Sequence, residues 1–185
     1  MSGEILILQG IQQSLSSEFG KNLSIFLARY LVFIFALFVA YIGFGRGRRH
    51  LRKIAYEATW AALIALITAS VSGQVIGRIR PYLADSSIQA LIPAPLTMYS
   101  FPSGHTATAF AAAVVLVYGS PGIGLIALLA AALVGFGRMA TGVHYPTDVI
   151  AGALIGSLVG IIVHHIQIRR NTKKQQAAES YAKNR

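Results

Sequence analysis

Residues Leu23–Phe44 read LSIFLARYLVFIFALFVAYIGF, an almost wholly apolar run whose one charge is Arg29. At about 1.5 Å of rise per residue, some 20 such residues cross the hydrocarbon core of a bilayer, so the stretch predicts a membrane-spanning helix. Its aromatic richness and the lack of a small-residue cleavage site separate it from a secretory signal peptide. The pattern recurs downstream. Ala55–Ile76, Gly104–Tyr118, Ile123–Met139 and Thr147–Ile168 predict further spans, with a turn at Gly119-Ser120-Pro121-Gly122 dividing the third from the fourth. Tyr56 and Trp60 stand near the start of the second span, where amphipathic rings suit a headgroup boundary, and Glu57 between them is expected to face water. The expected fold is all-α, a polytopic membrane bundle of about five transmembrane helices.

Composition agrees with that reading. The 185 residues are 55% hydrophobic and only 12% charged, well below the roughly 25% charge of a soluble domain. No collagen-like, heptad or longer repeat is visible, which excludes fibrous and solenoid folds. Cysteine is absent, so disulfide frameworks, thiol catalysis and cysteine metal sites drop out together. A formal charge of +10 raises the question of a nucleic-acid partner, and placement answers it. Arg46, Arg48, Arg49, Arg52 and Lys53 fill the first loop, while Arg169, Arg170, Lys173, Lys174, Lys183 and Arg185 fill the C-terminal tail. Basic loops are retained on the cytoplasmic side, so these clusters orient the chain in the cell's inner (plasma) membrane, with its N-terminus outside and C-terminus cytoplasmic. The partner they imply is the lipid bilayer, not nucleic acid. Residues 1–168 therefore read as a single membrane-embedded domain and 169–185 as a basic cytoplasmic tail. Gly3–Phe19 is expected to lie along the outer interface as a short amphipathic helix. The loop Tyr82–Phe101, with Pro93 and Pro95, is expected to fold back on the outer face. Gly152, Gly156 and Gly160, at every fourth position, permit close helix contact within the chain.

Few ionisable residues remain once the orienting charges are set aside. Arg78, Arg80, Arg138, His144 and Asp148 fall at the outer ends of the second, fourth and fifth spans, and His105 falls at the outer start of the third. Positive charge outside runs against the orientation rule and points to anion binding. A phosphate monoester or diphosphate fits, because its transferring group carries charge that arginine forks stabilise bidentately. Ser103, just before a helix, brings free backbone amides at a helix N-terminus, and Gly104 allows close approach. Asp148 stands one helical turn after His144, with Pro146 suited to the first turn between them. A carboxylate that accepts from one ring nitrogen would leave the other as a nucleophile aimed at phosphorus. His105, from another helix, is then free to protonate the leaving oxygen and later to activate water. One histidine neutral and the other protonated predicts a bell-shaped pH dependence. Taken singly, His105 and His144 also read as interfacial histidines. His50, His164 and His165 lie in or beside basic segments and carry no chemistry in this reading.

These residues resemble the signature of the type 2 phosphatidic acid phosphatase superfamily of membrane lipid phosphatases. Its second part, Pro-Ser-Gly-His, is intact at Pro102, Ser103, Gly104 and His105. Its third part is matched by Arg138, His144 and Asp148, with Gly137 in place of a serine. Its first part is matched by Arg80 and Pro81, with Gly73 where a lysine is usual. The resemblance implies His144 as nucleophile, Asp148 as its orienter, His105 as general acid, and Arg80, Ser103, Gly104 and Arg138 as phosphate ligands. It also implies a mechanism without metal or cofactor. Arg78 or Gln74 is expected to replace the missing lysine. The small size, five-span plan and outward site resemble the branch that converts undecaprenyl diphosphate to undecaprenyl phosphate for cell wall synthesis. A phosphatidylglycerophosphate or phosphatidic acid phosphatase is the next reading. Outside enzymes, a small transporter or a non-catalytic phospholipid-binding subunit would share the helical body, but transporters commonly bind near the midplane and often contain internal repeats.

Overall fold

Helices account for nearly all of the regular structure, as a lipid-embedded backbone requires, because no water is present to satisfy its amides and carbonyls. The computed structural model describes residues 3–44, 49–93 and 97–183; Arg46, Arg48, Pro95 and Arg185 lie outside the described residues. In chain order, α1 (Gly3–Ser14) precedes α2 (Glu18–Ile25), a π-helical stretch (Phe26–Tyr30) and α3 (Leu31–Phe44), the last three following one another without a break. Then come α4 (Arg49–Ile76), the single turn α5 (Pro81–Ala84), α6 (Gly104–Gly119), α7 (Pro121–Ala140) and α8 (Pro146–Lys183). Glu18–Phe44, α4, α7 and α8 are each long and apolar enough to cross a membrane, and α6 is a shorter apolar helix of the bundle.

Local chemistry sets the ends of these helices. The Ser17 hydroxyl accepts from the Gly20 amide at 3.1 Å and caps α2. Gly77 takes a positive φ of 65°, and its amide donates to the Gly73 carbonyl at 3.0 Å, ending α4. Pro121 and Pro146 open α7 and α8, where a missing N–H costs nothing. Hydropathy ends the fifth span near Ile168, yet α8 continues to Lys183. Its 38 residues reach roughly 57 Å at 1.5 Å per residue. The polar end stays helical because Lys173, Lys174, Gln175, Gln176, Ala177, Ala178 and Glu179 are strong helix formers. The basic tail is thus a helical extension of the last span.

The bundle packs around α6, which is flanked by α4, α7 and α8. Small residues make this possible. Ala58, Ala61, Ala65 and Ala69 of α4 belong to the same buried cluster as Ala107, Ala111 and Val115 of α6. On α8, a Cβ added at Gly152, Gly156 or Gly160 would lie 2.6, 2.2 or 2.7 Å from the carbonyls of Ser103, Ala107 and Ala111. That glycine stripe therefore seats α8 on the α6 backbone. Large apolar side chains such as Leu37, Phe44, Leu125 and Leu154 face outward, as in a lipid-solvated surface.

Helix direction gathers the candidate site residues at one end and the basic residues of α4 and α8 at the other. At the basic end, the His50 ring lies 3.0 Å from the Gly119 carbonyl. Glu57, expected to face water, pairs with His164 at 3.3 Å, and Tyr118 stacks on the His164 ring. At the opposite end, Ile79 and Tyr99 form an antiparallel bridge that folds the 82–101 loop back on the bundle. Helix α1 lies on this loop. Ile5 and Leu8 are buried against Ile88 and Tyr145, Gln12 exchanges hydrogen bonds with the Gln89 backbone at 2.7 and 3.1 Å, and Leu6 and Ile7 remain exposed.

Candidate active site

Arg78–Arg80 leave α4 in extended conformation and pair with the strand-like segment before Pro102. The Ser100 amide donates to the Arg78 carbonyl at 2.7 Å and the Arg80 amide to the Met98 carbonyl at 3.2 Å. This short ladder aims the Ser100 carbonyl and the Arg80 side chain toward the end of α7. There Gly142, with a φ of 74°, makes the left-handed turn that carries the chain from Arg138 to His144. A cavity of about 180 Å³ opens where the segments meet, lined among others by Gly73, Arg80, Gly104, His105, Arg138 and His144. It is smaller than the roughly 300–1,000 Å³ of sites that enclose whole small molecules.

The geometry fixes the His144 tautomer. Nδ1 lies 2.7 Å from the Ser100 carbonyl, which can only accept, so Nδ1 carries the proton. Nε2 is then a lone pair, 3.4 Å from Arg80 Nη1 at the cavity. Burial pushes the imidazole down to about 4; the Asp148 carboxylate opposes this, and Arg138 and Arg80 add to it. A neutral ring is the result.

Asp148 is closer to the backbone and to Arg78 than to the imidazole it was expected to orient. Its Oδ2 accepts from the Tyr145 amide at 2.8 Å, in the manner of a capping box, and lies 3.6 Å from His144 Nδ1. Its Oδ1 accepts from Arg78 at 2.7 Å. The carboxylate thus acts on His144 through charge, while the Ser100 carbonyl holds the ring.

The arginines divide into two sets. Arg80 donates through Nε to the Thr97 carbonyl and through Nη1 to the Val143 carbonyl, each at 2.9 Å, which fixes its fork against the cavity. Arg138, only 4% exposed, donates to the Ala28 carbonyl at 3.3 Å and keeps a buried Nε with no partner among the described residues. An oxyanion in the cavity would satisfy such an orphan. Arg78 does not reach this wall. Glu4 at 2.5 Å, Asp148 at 2.7 Å and the Thr147 hydroxyl at 2.6 Å hold its guanidinium, which lies 3.8 Å over the Tyr145 ring. The expectation that it replaces the lysine therefore gives way to two carboxylates that capture it. Gln74 does line the cavity beside Gly73, where a Cβ would lie 3.1 Å from the Phe101 carbonyl.

His105 and Gly104 line the cavity at the first turn of α6, where backbone amides lack intrahelical acceptors. The His105 ring makes no hydrogen bond to a described residue. Ser103 sits beneath them, fully buried, its amide donating to the Asp148 carbonyl at 3.0 Å and its hydroxyl accepting from Thr106 at 2.9 Å. It supports the wall from behind and ties α6 to α8. Gly137, where the resembled signature has serine, touches the π-helical turn: a Cβ there would lie 2.6 Å from the Ala28 amide nitrogen. The close approach that excludes serine brings the Ala28 carbonyl to Arg138. Sequence reasoning missed Ser100, Thr97 and Ala28 because each acts through its main-chain carbonyl, which leaves no mark on residue type.

The PAP2 superfamily model matches residues 54–172. The chain is 36% identical over 124 residues to an undecaprenyl-diphosphatase of Sulfolobus acidocaldarius, a match spanning 66% of this chain and 60% of that relative. It is 30% identical over 157 residues to the bacitracin transport permease protein BcrC of Bacillus licheniformis, covering 80% and 74% of the two chains. Other relatives are named as phosphatases of lipid A and of decaprenylphosphoryl-5-phosphoribose. Among solved structures, Aquifex aeolicus LpxE superposes with a TM-score of 0.65 at 26% identity, covering 88% of this chain and 95% of that one.

Proposed function

The chain belongs to the PAP2 superfamily, and on that premise we propose that it hydrolyses a lipid phosphate or diphosphate through a phosphohistidine at His144. The observation that carries this reading is the Nε2 lone pair of His144, set at a cavity that it shares with two arginines and His105.

In the first step Nε2 attacks phosphorus. A P–N bond forms, the bond from phosphorus to the lipid-side oxygen breaks, and His105 donates a proton to that departing oxygen. The Arg80 fork, the free Nε of Arg138 and the first-turn amides at Gly104 and His105 hold the non-bridging oxygens as their charge redistributes. The imidazole becomes cationic on phosphorylation, and the buried Asp148 carboxylate 3.6 Å away stabilises that charge. In the second step His105 takes a proton from water, the water oxygen attacks phosphorus, and the P–N bond breaks. Inorganic phosphate leaves and the Nε2 lone pair is restored. Each step uses only the chain's own groups, so turnover in EDTA is expected.

Undecaprenyl diphosphate is the proposed substrate, supported by the name of the Sulfolobus relative. Phosphatidylglycerophosphate and phosphatidic acid are the alternatives, since the grip is on phosphate. The concentration of basic residues at the far end of the bundle supports a site opening to the outer side of the plasma membrane. A transport reading lacks support: the polar groups gather at one end of the bundle, away from the midplane. The test is phosphate release from undecaprenyl diphosphate, phosphatidylglycerophosphate, phosphatidic acid and lipid A in detergent with EDTA, against a His144→Ala control. The fastest of these is expected to be undecaprenyl diphosphate, and no release above the control would refute the enzyme reading.

A further inference from the structure

We propose that Glu4, on the N-terminal helix α1, is a positioning residue of the active site, acting through Arg78 on Asp148 to set the negative charge that His144 meets. The inference rests on the phosphatase reading above and extends it to a segment outside the family match, which begins at residue 54.

The contacts form an unbroken line. Glu4 Oε2 accepts from Arg78 Nη2 at 2.5 Å, and Arg78 Nη1 donates to Asp148 Oδ1 at 2.7 Å. The other Glu4 oxygen, Oε1, accepts from the Thr147 amide at 3.1 Å and the Thr147 hydroxyl at 2.7 Å, so Glu4 also grips the first turn of the helix that bears Asp148. The guanidinium is pinned from the side by the Tyr145 ring. Docking of α1 is specific enough to hold Glu4 there. Ile5 and Leu8 are buried, Gln9 donates to the Ser87 hydroxyl at 2.8 Å, and Gln12 donates to the Gln89 and Ala140 carbonyls at 2.7 and 3.3 Å.

Charge gives the line its consequence. Glu4 and Asp148 share one cation, so the three groups together carry a single net negative charge behind His144. Without Glu4, Arg78 would neutralise Asp148 alone, and His144 would face Arg80 and Arg138 with nothing to balance them. In a buried site such a change acts strongly on an imidazole that must become cationic in the reaction.

The test compares the unaltered chain, Glu4→Gln, Arg78→Gln and the double variant, each against His144→Ala. The probe is whichever of undecaprenyl diphosphate, phosphatidylglycerophosphate, phosphatidic acid and lipid A the unaltered chain turns over fastest. Glutamine keeps an oxygen for Thr147 while removing the charge and the acceptor that Arg78 meets. The expected result is a fall in kcat of about tenfold for Glu4→Gln, with KM within about twofold, and no further fall when Glu4→Gln is added to Arg78→Gln. Docking is read separately, because the chain has no native cysteine. A Gln9→Cys/Ser87→Cys pair, treated with a short bifunctional thiol reagent, should cross-link equally with and without the Glu4→Gln change. An unchanged kcat, an effect confined to KM, additive losses, or a loss of cross-linking that parallels the loss of kcat would each overturn the proposal. If the unaltered chain releases no phosphate above His144→Ala, the phosphatase reading falls and takes this inference with it. If it is active and Glu4→Gln matches it, this inference alone falls.

Discussion

His144 Nδ1 donates to the carbonyl of Ser100 across 2.7 Å, so the main chain of the segment before Pro102 fixes which nitrogen of the imidazole is free. The Ser100 side chain takes no part in that bond; its hydroxyl lies 3.3 and 3.4 Å from the Arg78 and Ile79 carbonyls. Ser100→Ala is therefore expected to remain active, with a modest loss. Losing weak hydrogen bonds costs ~0.5–1.5 kcal/mol, or about tenfold at most in kcat/KM, whereas His144→Ala should abolish turnover. Steady-state kinetics of the two variants side by side would check this.

The buried imidazole should also titrate far below an ordinary histidine. Burial drives its pKa down to about 4, against the influence of Asp148 and with that of Arg138 and Arg80. A nucleophile needs the neutral form, which is present above that value and lost as pH falls through it. Nitrogen NMR of labelled His144 in detergent is expected to show a midpoint well below the ordinary histidine value of about 6.5. Asp148→Asn removes the carboxylate that raises the pKa and should move the midpoint lower still. An ordinary midpoint in the unaltered chain would mean that the site is open to water.

Arg138 and Arg78 should differ in kind. Arg138 lines the cavity and keeps a buried Nε with no partner among the described residues, while Arg78 is engaged by Glu4 and Asp148. Arg138→Ala is expected to cost about 10²–10³ in kcat, as loss of an oxyanion donor does, and to weaken inhibition by inorganic phosphate. Arg78→Gln, at a residue that does not line the cavity, should leave phosphate inhibition unchanged. Phosphate inhibition constants for both variants separate direct grip from action through Asp148.

Some of these relationships are legible in the sequence and others are closed to it. Hydropathy locates the spans because bilayer thickness imposes a length, and the Pro102–His105 and Arg138–Asp148 spacings point to the candidate site because each lies within one local segment. The end of α8 escapes the same reading because hydropathy falls after Ile168 while helix propensity does not. Arg78 reads as a phosphate ligand because its partner Glu4 lies 74 residues away, on a helix whose docking no local pattern announces. Ser100, Thr97 and Ala28 are invisible because every residue type carries a carbonyl.

Gly137 offers a test of packing. Restoring the serine of the resembled signature would put a Cβ 2.6 Å from the Ala28 amide nitrogen, on backbone that must move. Overpacking of this kind costs ~1–3 kcal/mol, and a chain of this size loses about 2–4 °C in Tm per kcal/mol. Gly137→Ser is expected to lower Tm by several degrees in a thermal melt and to weaken the Ala28–Arg138 contact, lowering kcat as well.

The central claim is that His144 becomes covalently phosphorylated, and rapid quench of the enzyme with substrate labelled in its terminal phosphate tests it most directly. The account predicts an acid-labile, base-stable phosphoryl group that maps to His144, forms at least as fast as turnover, and is absent from His144→Ala. Steady turnover with no labelled protein under conditions that preserve phosphohistidine, or equal labelling of His144→Ala, would contradict it.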